Sequence, residues 1–453
     1  MENQEEMKVE LFEKITQYLE NQDIERFRDY FLDMHPYDQA LFFMEVEANV
    51  RMLIYSYLSP EEAAAMMEHI ELDDIQPFFT EMDPTFASMV FAEMATDDAV
   101  DILNEMDKDK VVSFLTIMDD EDAEDIKDLL HYEEKTAGSI MTTEFISVFK
   151  TQTVKETMVQ LKQEGPDAET IYYLYVVDED KRLAGVLSLR DLIISEDDAK
   201  IESIMNEKVF HVSVAEDQEE VAKNMRDYDF LAVPVVDFQQ HLLGIITVDD
   251  ILDVMEEEAS EDFSKLAGIT DGERRDTSPL IAAKKRLPWL IILLFLGLLT
   301  ASLIGQFEDT LNKVTVLSIF IPLIAGMAGN TGTQALAVAV RGLATGEYGD
   351  TGKLKLILRE AGTGLITGTV CGIIISVVIF LWQDNLYLGL LVGLSIMATL
   401  VIATLAGSLI PILMHRLKID PAVASGPFIT TINDIISVLI YFGLATTFMS
   451  LLI

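Results

Sequence analysis

The last third of this 453-residue chain carries five long apolar stretches, approximately 287–305, 314–340, 361–382, 386–413 and 422–452. Each is long enough to cross a bilayer as a helix of about 20 residues. The preceding residues follow other patterns. Residues 1–131 lack the alternation of a half-buried strand and read as helical. From residue 81 a twelve-residue beat runs through them: EMD at 81, EMA at 93, EMD at 105 and IMD at 117. The methionine is expected on a core face and the following aspartate at the cap of a new short helix, so the segment reads as a small solenoid of helix pairs.

A second repeat follows. SIM at Ser139 recurs at Ser203, and YYLYVVDEDKRLAGVLSLRDLI is echoed 59 residues on by DFLAVPVVDFQQHLLGIITVDDIL. Each copy predicts a buried strand, a turn, a glycine-led second strand and a helix capped by Asp. This pattern resembles a tandem pair of CBS domains. The boundaries expected are 1–131 for an acidic helical domain and 132–255 for the CBS pair, with copies at 139–195 and 202–255. A linker helix over 256–285 and a five-helix membrane domain over 286–453 complete the reading.

Charge sharpens this division. The whole chain has a net charge of −45 yet a mean hydropathy of +0.27. Residues 1–283 carry a balance of −47 and residues 284–453 a balance of +2. Lys284, Lys285 and Arg286 precede the first span; Arg341, Lys353, Lys355 and Arg359 lie between the second and third, and Arg416 and Lys418 between the fourth and fifth. The other two loops hold only Lys313. The positive-inside rule then predicts a cytoplasmic acidic half and an external C-terminus; the membrane expected is the plasma membrane. The N-terminus shows no signal-peptide pattern, and the single Cys371 allows no disulfide framework.

Polar residues inside the apolar stretches point to function. The second span holds Pro322 and glycines at 326, 329 and 332, together with Asn330, Thr331, Thr333 and Gln334. It is expected to be broken, which a membrane tolerates only where backbone is packed in protein or lines a water path. Asp434 lies in the fifth span, about thirteen residues past Pro421 and therefore about 20 Å along a helix. An ionised carboxylate there costs roughly 2.5 kcal/mol or more, and no span contains a lysine or arginine to neutralise it. A transported cation or a proton would compensate, as would protonation of Asp434 within the bundle. The glycines of GEYGDTGKL and GTGLITG do not match phosphate-loop or dinucleotide spacing, so transport would be driven by the electrochemical gradient.

The soluble half shows no nucleophile–base set, and its histidines lack metal-ligand spacing; no enzyme activity and no nucleic-acid partner are expected. Its crowded carboxylates repel within a Debye length of about 8 Å. Divalent cations bound between them would remove that repulsion and make compactness depend on cytosolic metal.

Taken in order, the acidic helical domain, LLHYEEKTAGSIMT, the CBS repeats, PLIAGMAGNTGTQA and DPAVASGPFITTINDIISVLIYF closely resemble the MgtE family of magnesium transporters. The resemblance implies a homodimer in lipid with one pore on its two-fold axis, selective for Mg²⁺ and closed by cytosolic Mg²⁺. It assigns Asp434 to hold a largely hydrated Mg²⁺, with Asn330 and Thr431 lining the pore. It implies regulatory metal positions at Asp97, Asp101, Glu216, Asp229, Asp249, Asp250, Glu257, Glu258 and Asp420. Some members bind ATP in the CBS cleft, where Tyr173, Arg190, Asp191, Phe230, Leu231 and Pro234 would fall. A proton-coupled carrier of Mg²⁺, Co²⁺ or Mn²⁺, and a membrane sensor without transport, are the competing readings.

Overall fold

The computed structural model describes residues 2–166, 168–269, 278–345 and 350–452. Two compact units, Met1–Met255 and Glu256–Ile453, divide the chain.

In the first unit the twelve-residue beat is one short helix per repeat. Leu72–Glu81, Pro84–Glu93, Thr96–Asn104, Lys108–Ile117 and Asp120–Leu129 follow one another. Met82, Met94, Met106 and Met118 stand at or just past four of the helix ends and are all buried. Helices pack on their second neighbours: Pro84–Glu93 meets Pro60–Met67 on one side and Lys108–Ile117 on the other. Thr96–Asn104 likewise meets Leu72–Glu81 and Asp120–Leu129, so two stacked layers form the solenoid. Capping follows the expectation only at Asp83, which accepts from the Thr85 and Phe86 amides. Asp107 and Asp119 hold the N-cap position without a side-chain cap bond.

Each CBS copy is built on a three-stranded sheet. Ser147–Phe149 pairs parallel to Tyr173–Val177, which pairs antiparallel to Leu183–Ser188. Val212–Ser213, Ala232–Val236 and Leu242–Thr247 repeat this order. The register shifts at Val176/Val177 and again at Val235/Val236, so the irregularity itself obeys the 59-residue repeat. Arg182 bridges antiparallel to His241, its own equivalent in the second copy, which places a local two-fold axis between them.

The helix after the last strand runs from Val248 to Ala267. Gly268 ends it at φ +77°, a conformation L side chains rarely adopt. The linker helix foreseen over 256–285 therefore stops at Ala267; residues 270–277 lie outside the described residues, and helix resumes at Pro279.

Five helices of the second unit are long and apolar enough to cross a membrane: Pro279–Gly305, Thr315–Ala344, Gly352–Gln383, Leu386–Arg416 and Gly426–Thr447. No residue of the first is fully buried, although it packs on the fifth span and Ile304 joins an apolar cluster there. The second is not broken at its glycines. Its irregular part is a 3₁₀ segment, Thr315–Phe320, after which Ile321–Ala344 is one continuous helix. Pro322 stands in the first turn of that helix, where its missing N–H removes no intrahelical bond. The third and fourth spans pack closely along Gly364, Gly368 and Gly372; a Cβ on Gly372 would lie 2.6 Å from the Gly393 carbonyl oxygen.

Candidate cation sites

Asp434 stands eight residues into the Gly426–Thr447 helix, because Pro421–Val423 is a separate 3₁₀ turn and Ser425 caps the span by accepting from the Phe428 amide. It is therefore about 12 Å along a helix of about 33 Å, shallower than the 20 Å expected from the sequence. Its side chain is partly exposed, and no described residue donates to its carboxylate. Thr431 Oγ1 donates to the Pro427 carbonyl at 2.9 Å. Asn330 and Gln334, one turn apart on the second span, are both exposed at the surface of the chain. Gly329 and Thr430 touch, so their neighbours Asn330 and Thr431 lie at a common depth.

A second group of carboxylates gathers in the first unit, where the Thr96–Asn104 helix meets the CBS pair. Asp97 is only 8% exposed and its Oδ1 has no hydrogen-bond partner. Burial, then the charges of Asp250, Asp98 and Glu169, push its carboxyl well above the usual range. Burial and the charges of Glu68, Asp250, Asp101 and Glu169 push Asp98 up to about 8. Glu169 reaches about 7 through burial and the charges of Asp250, Asp249, Glu144 and Glu68. Burial also raises Asp250, although Thr247 opposes this by donating its hydroxyl to Oδ2 at 2.5 Å. The fold assembles the cluster through hydrogen bonds of both backbone and side chains. The Ala95 amide donates to Glu68 Oε1 at 3.0 Å, Thr96 Oγ1 to Glu144 Oε1 at 3.1 Å, and the Glu169 amide to the Glu144 carbonyl at 2.8 Å.

Of the residues foreseen, Asp97, Asp101, Asp249 and Asp250 come together here. Glu68, Asp98, Glu144 and Glu169 join them unforeseen. Asp98 adjoins Asp97 in sequence and was within reach of a reading by position. Glu169, in a loop of the first CBS copy, carries no local signal. Among the described residues no three His, Cys, Asp or Glu side chains enclose a metal position as they stand. Asp229 is exposed and serves as the left-handed C-cap of the Gln218–Tyr228 helix. Glu216 accepts from the Ser213 amide at 3.2 Å, and its carbonyl accepts from the Ala137 amide.

In the second unit, Asp420 is engaged by an amine. Lys265 Nζ lies 2.6 Å from its Oδ2 and 2.7 Å from Glu261 Oε1. Burial opposes the charge on Lys265, but its hydrogen bonds to Asp420 and Glu261 outweigh that and hold its pKa above the usual range. Asp262 is pushed up to about 6 by burial and by the Asp420 charge, with Lys265 opposing and Glu258 and Glu261 adding. Glu257 and Glu258 lie on the same helix.

The proposed nucleotide positions divide between the two CBS copies. Ser188 caps the helix that follows by accepting from the Asp191 amide at 3.1 Å and donates its hydroxyl to Asp191 Oδ2 at 2.6 Å, and Arg190 is exposed. Tyr173 opens the first central strand and Pro234 lies within the second, opposite Ile245. Phe230 stacks with Phe210 and Tyr228 at ring-centroid distances of 5.3 and 5.5 Å, and Leu231 beside it is 46% exposed.

Known proteins share this sequence of parts. The divalent cation transporter domain of MgtE matches residues 321–444, the MgtE intracellular N domain residues 34–135, and CBS domains residues 137–196 and 201–257. The magnesium transporter MgtE of Enterococcus faecalis is 54% identical over 97% of both chains. The chain belongs to the MgtE family of magnesium transporters. The MgtE protein of Bacillus subtilis is 42% identical, again over 97% of both chains. Among solved structures, the soluble part of a magnesium transporter aligns at a TM-score of 0.54 and 49% identity, over 56% of this chain and 99% of that one. The cytosolic domain of the Mg²⁺ channel MgtE in complex with ATP aligns at 0.51 and 37% identity, over 53% and 98%. Membership makes the chain a multi-pass membrane protein with a cytosolic N-terminal domain and a CBS pair.

Proposed function

We propose that the chain takes up Mg²⁺ through a dimeric, Mg²⁺-selective channel driven by the electrochemical gradient and closed by cytosolic Mg²⁺. The observation that carries the transport step is Asp434, a carboxylate within a membrane span to which no described residue donates. Mg²⁺ dehydrates reluctantly, so a pore suited to it offers few carboxylates and leaves most of the water shell in place. Asp434 with its equivalent in a second copy supplies that donor set, and Asn330 and Thr431 line the same depth. Exposure of Asn330 and Gln334 supports a dimer, since polar side chains at membrane depth require protein or a water path beside them.

Closure is assigned to the acidic cluster. Asp97, Asp98, Asp101, Asp249, Asp250 and Glu169 crowd like charges together, and burial disfavours the charged forms of Asp97, Asp98, Asp250 and Glu169. Hydrated Mg²⁺ among them would remove the repulsion and hold the helical domain against the CBS pair. Glu257 and Glu258, and the positions Glu216, Asp229 and Asp420, are further candidates; of these Asp420 already has Lys265 as its counter-ion. The distribution of basic residues supports an external C-terminus. ATP is a candidate ligand of the CBS pair because a relative's cytosolic domain binds it, with the Phe210, Tyr228 and Phe230 stack offering ring faces to a base.

Current through inside-out patches, with Mg²⁺ stepped upward on the cytosolic face, tests this reading. Unitary openings that vanish as Mg²⁺ rises are expected. Uptake without unitary current, varying with pH and abolished by Asp434→Asn, would replace the channel with a proton-coupled carrier.

A further inference from the structure

At one level of the membrane unit three helices meet with almost no side chain between them. A Cβ on Gly332 of the second span would stand 1.9 Å from Asn433 Nδ2 and 3.1 Å from Ile429 Cγ2 on the fifth. A Cβ on Gly407 of the fourth span would stand 2.3 Å from the Gly332 carbonyl oxygen. Asn433 thus fills the notch that the missing Gly332 side chain leaves. Its side chain is 1% exposed, and neither Oδ1 nor Nδ2 has a hydrogen-bond partner. Buried amides are ordinarily paired. One that meets its surroundings only by shape acts as a wedge.

One turn earlier the same seam is keyed again. A Cβ on Gly329 would lie 2.7 Å from Thr430 Cγ2, and the Thr333 and Thr430 hydroxyls are 3.3 Å apart. Two successive turns of the fifth span therefore lock into two glycine notches of the second. Asp434 follows Asn433 directly, about 100° further round the helix. A rotation of the fifth span by about 20° would carry a group at the helix periphery, 5–6 Å from the axis, through about 2 Å. That displacement is as large as a Mg²⁺–oxygen distance of about 2.1 Å.

We propose that Asn433 is a positioning residue for Asp434. Wedged against Gly332, it sets the rotation of the fifth span and hence the direction in which the Asp434 carboxylate faces, and it does so by its shape. The inference rests on the reading of Asp434 as the pore carboxylate.

The test is Mg²⁺ uptake by the full-length protein in liposomes, recording half-saturating Mg²⁺, maximal flux and melting temperature. Asn433→Leu, which has nearly the same branched shape, should keep half-saturating Mg²⁺ within about twofold of wild type, whereas Asn433→Ala should raise it about tenfold or more at an unchanged melting temperature, as loosened positioning does elsewhere. Gly332→Ala should impair uptake, and adding Asn433→Ala should restore part of it. Wild-type uptake by Asn433→Ala, with Asp434→Ala inactive, would overturn the positioning role alone. Equal damage from Leu and Ala would assign the effect to amide chemistry and overturn the role of shape. Loss of flux in step with melting temperature would make Asn433 merely structural. Normal uptake by Asp434→Ala would remove the pore reading and this inference with it.

Discussion

Lys265 Nζ lies between two carboxylates, 2.6 Å from Asp420 and 2.7 Å from Glu261, and so ties the end of the Val248–Ala267 helix to the turn that opens the fifth span. Asp420 also accepts from the Ala422 amide at 2.8 Å, which fixes the turn itself. Beside this pair Leu266 packs against a cluster containing Ala422, Ala424 and Ile429. Gly268, at positive φ, lets the chain pass close to Ser425 and Pro427. Polar and apolar contacts together make the helix end and the start of the fifth span one mechanical piece.

Replacing Lys265 by Gln leaves Asp420, Glu261 and Asp262 without their shared cation. A partly exposed pair of this kind contributes about 1 kcal/mol, so half-closure should need about fivefold more cytosolic Mg²⁺. Lys265→Arg should stay near wild type. Mg²⁺ inhibition curves of liposome flux check both variants.

Asp97 holds a buried carboxyl oxygen with no partner. Asp97→Asn removes a charge site but keeps the shape, so the metal-free protein should gain about 1 kcal/mol of stability or lose none. Its further stabilisation by Mg²⁺ should shrink. Melting curves in chelator and in excess Mg²⁺ would show the two effects with opposite sign; a strong loss of stability in chelator would contradict this account.

The acid cluster also predicts a pH dependence. Asp98 at about 8 and Glu169 at about 7 lie above their values in an unfolded chain. For an acid, such a shift destabilises the fold fully above the folded pKa and not at all below the unfolded one. Metal-free protein should therefore lose stability as pH rises from about 5 to 8. Mg²⁺ must displace the same protons, so the Mg²⁺ concentration for closure should fall as cytosolic pH rises from 6 to 8. Closure independent of pH would separate these carboxyls from metal binding.

Asp434→Ala should abolish Mg²⁺ flux while leaving the protein folded, because the carboxylate makes no side-chain contact that the fold requires. Isotope uptake and size-exclusion behaviour of the purified variant are the measurements. Deleting residues 1–131 should leave flux intact and blunt inhibition by cytosolic Mg²⁺, since half of the acid cluster goes with them.

Local patterns in the sequence were sufficient for the architecture. The methionine beat, the 59-residue repeat and the apolar stretches each reflect a constraint carried by neighbours in the chain. Asp434 stood out because its cost comes from the apolar residues on either side of it. Tertiary structure decided what depends on distant segments or on backbone geometry. Pro322 could sit at a break or in a first turn, and only the 3₁₀ segment before it settles which. Asp434 lies nearer the start of its span than residue counting suggested, because Pro421–Val423 turns separately from the helix. Glu169 joins the acid cluster through a backbone bond to Glu144 that no spacing reveals. Lys265 meets Asp420 across 155 residues, and Asn433 finds the notch of Gly332 about a hundred positions earlier. Such pairings arise from three-dimensional packing, where charge and shape act over ångströms and sequence separation has no bearing.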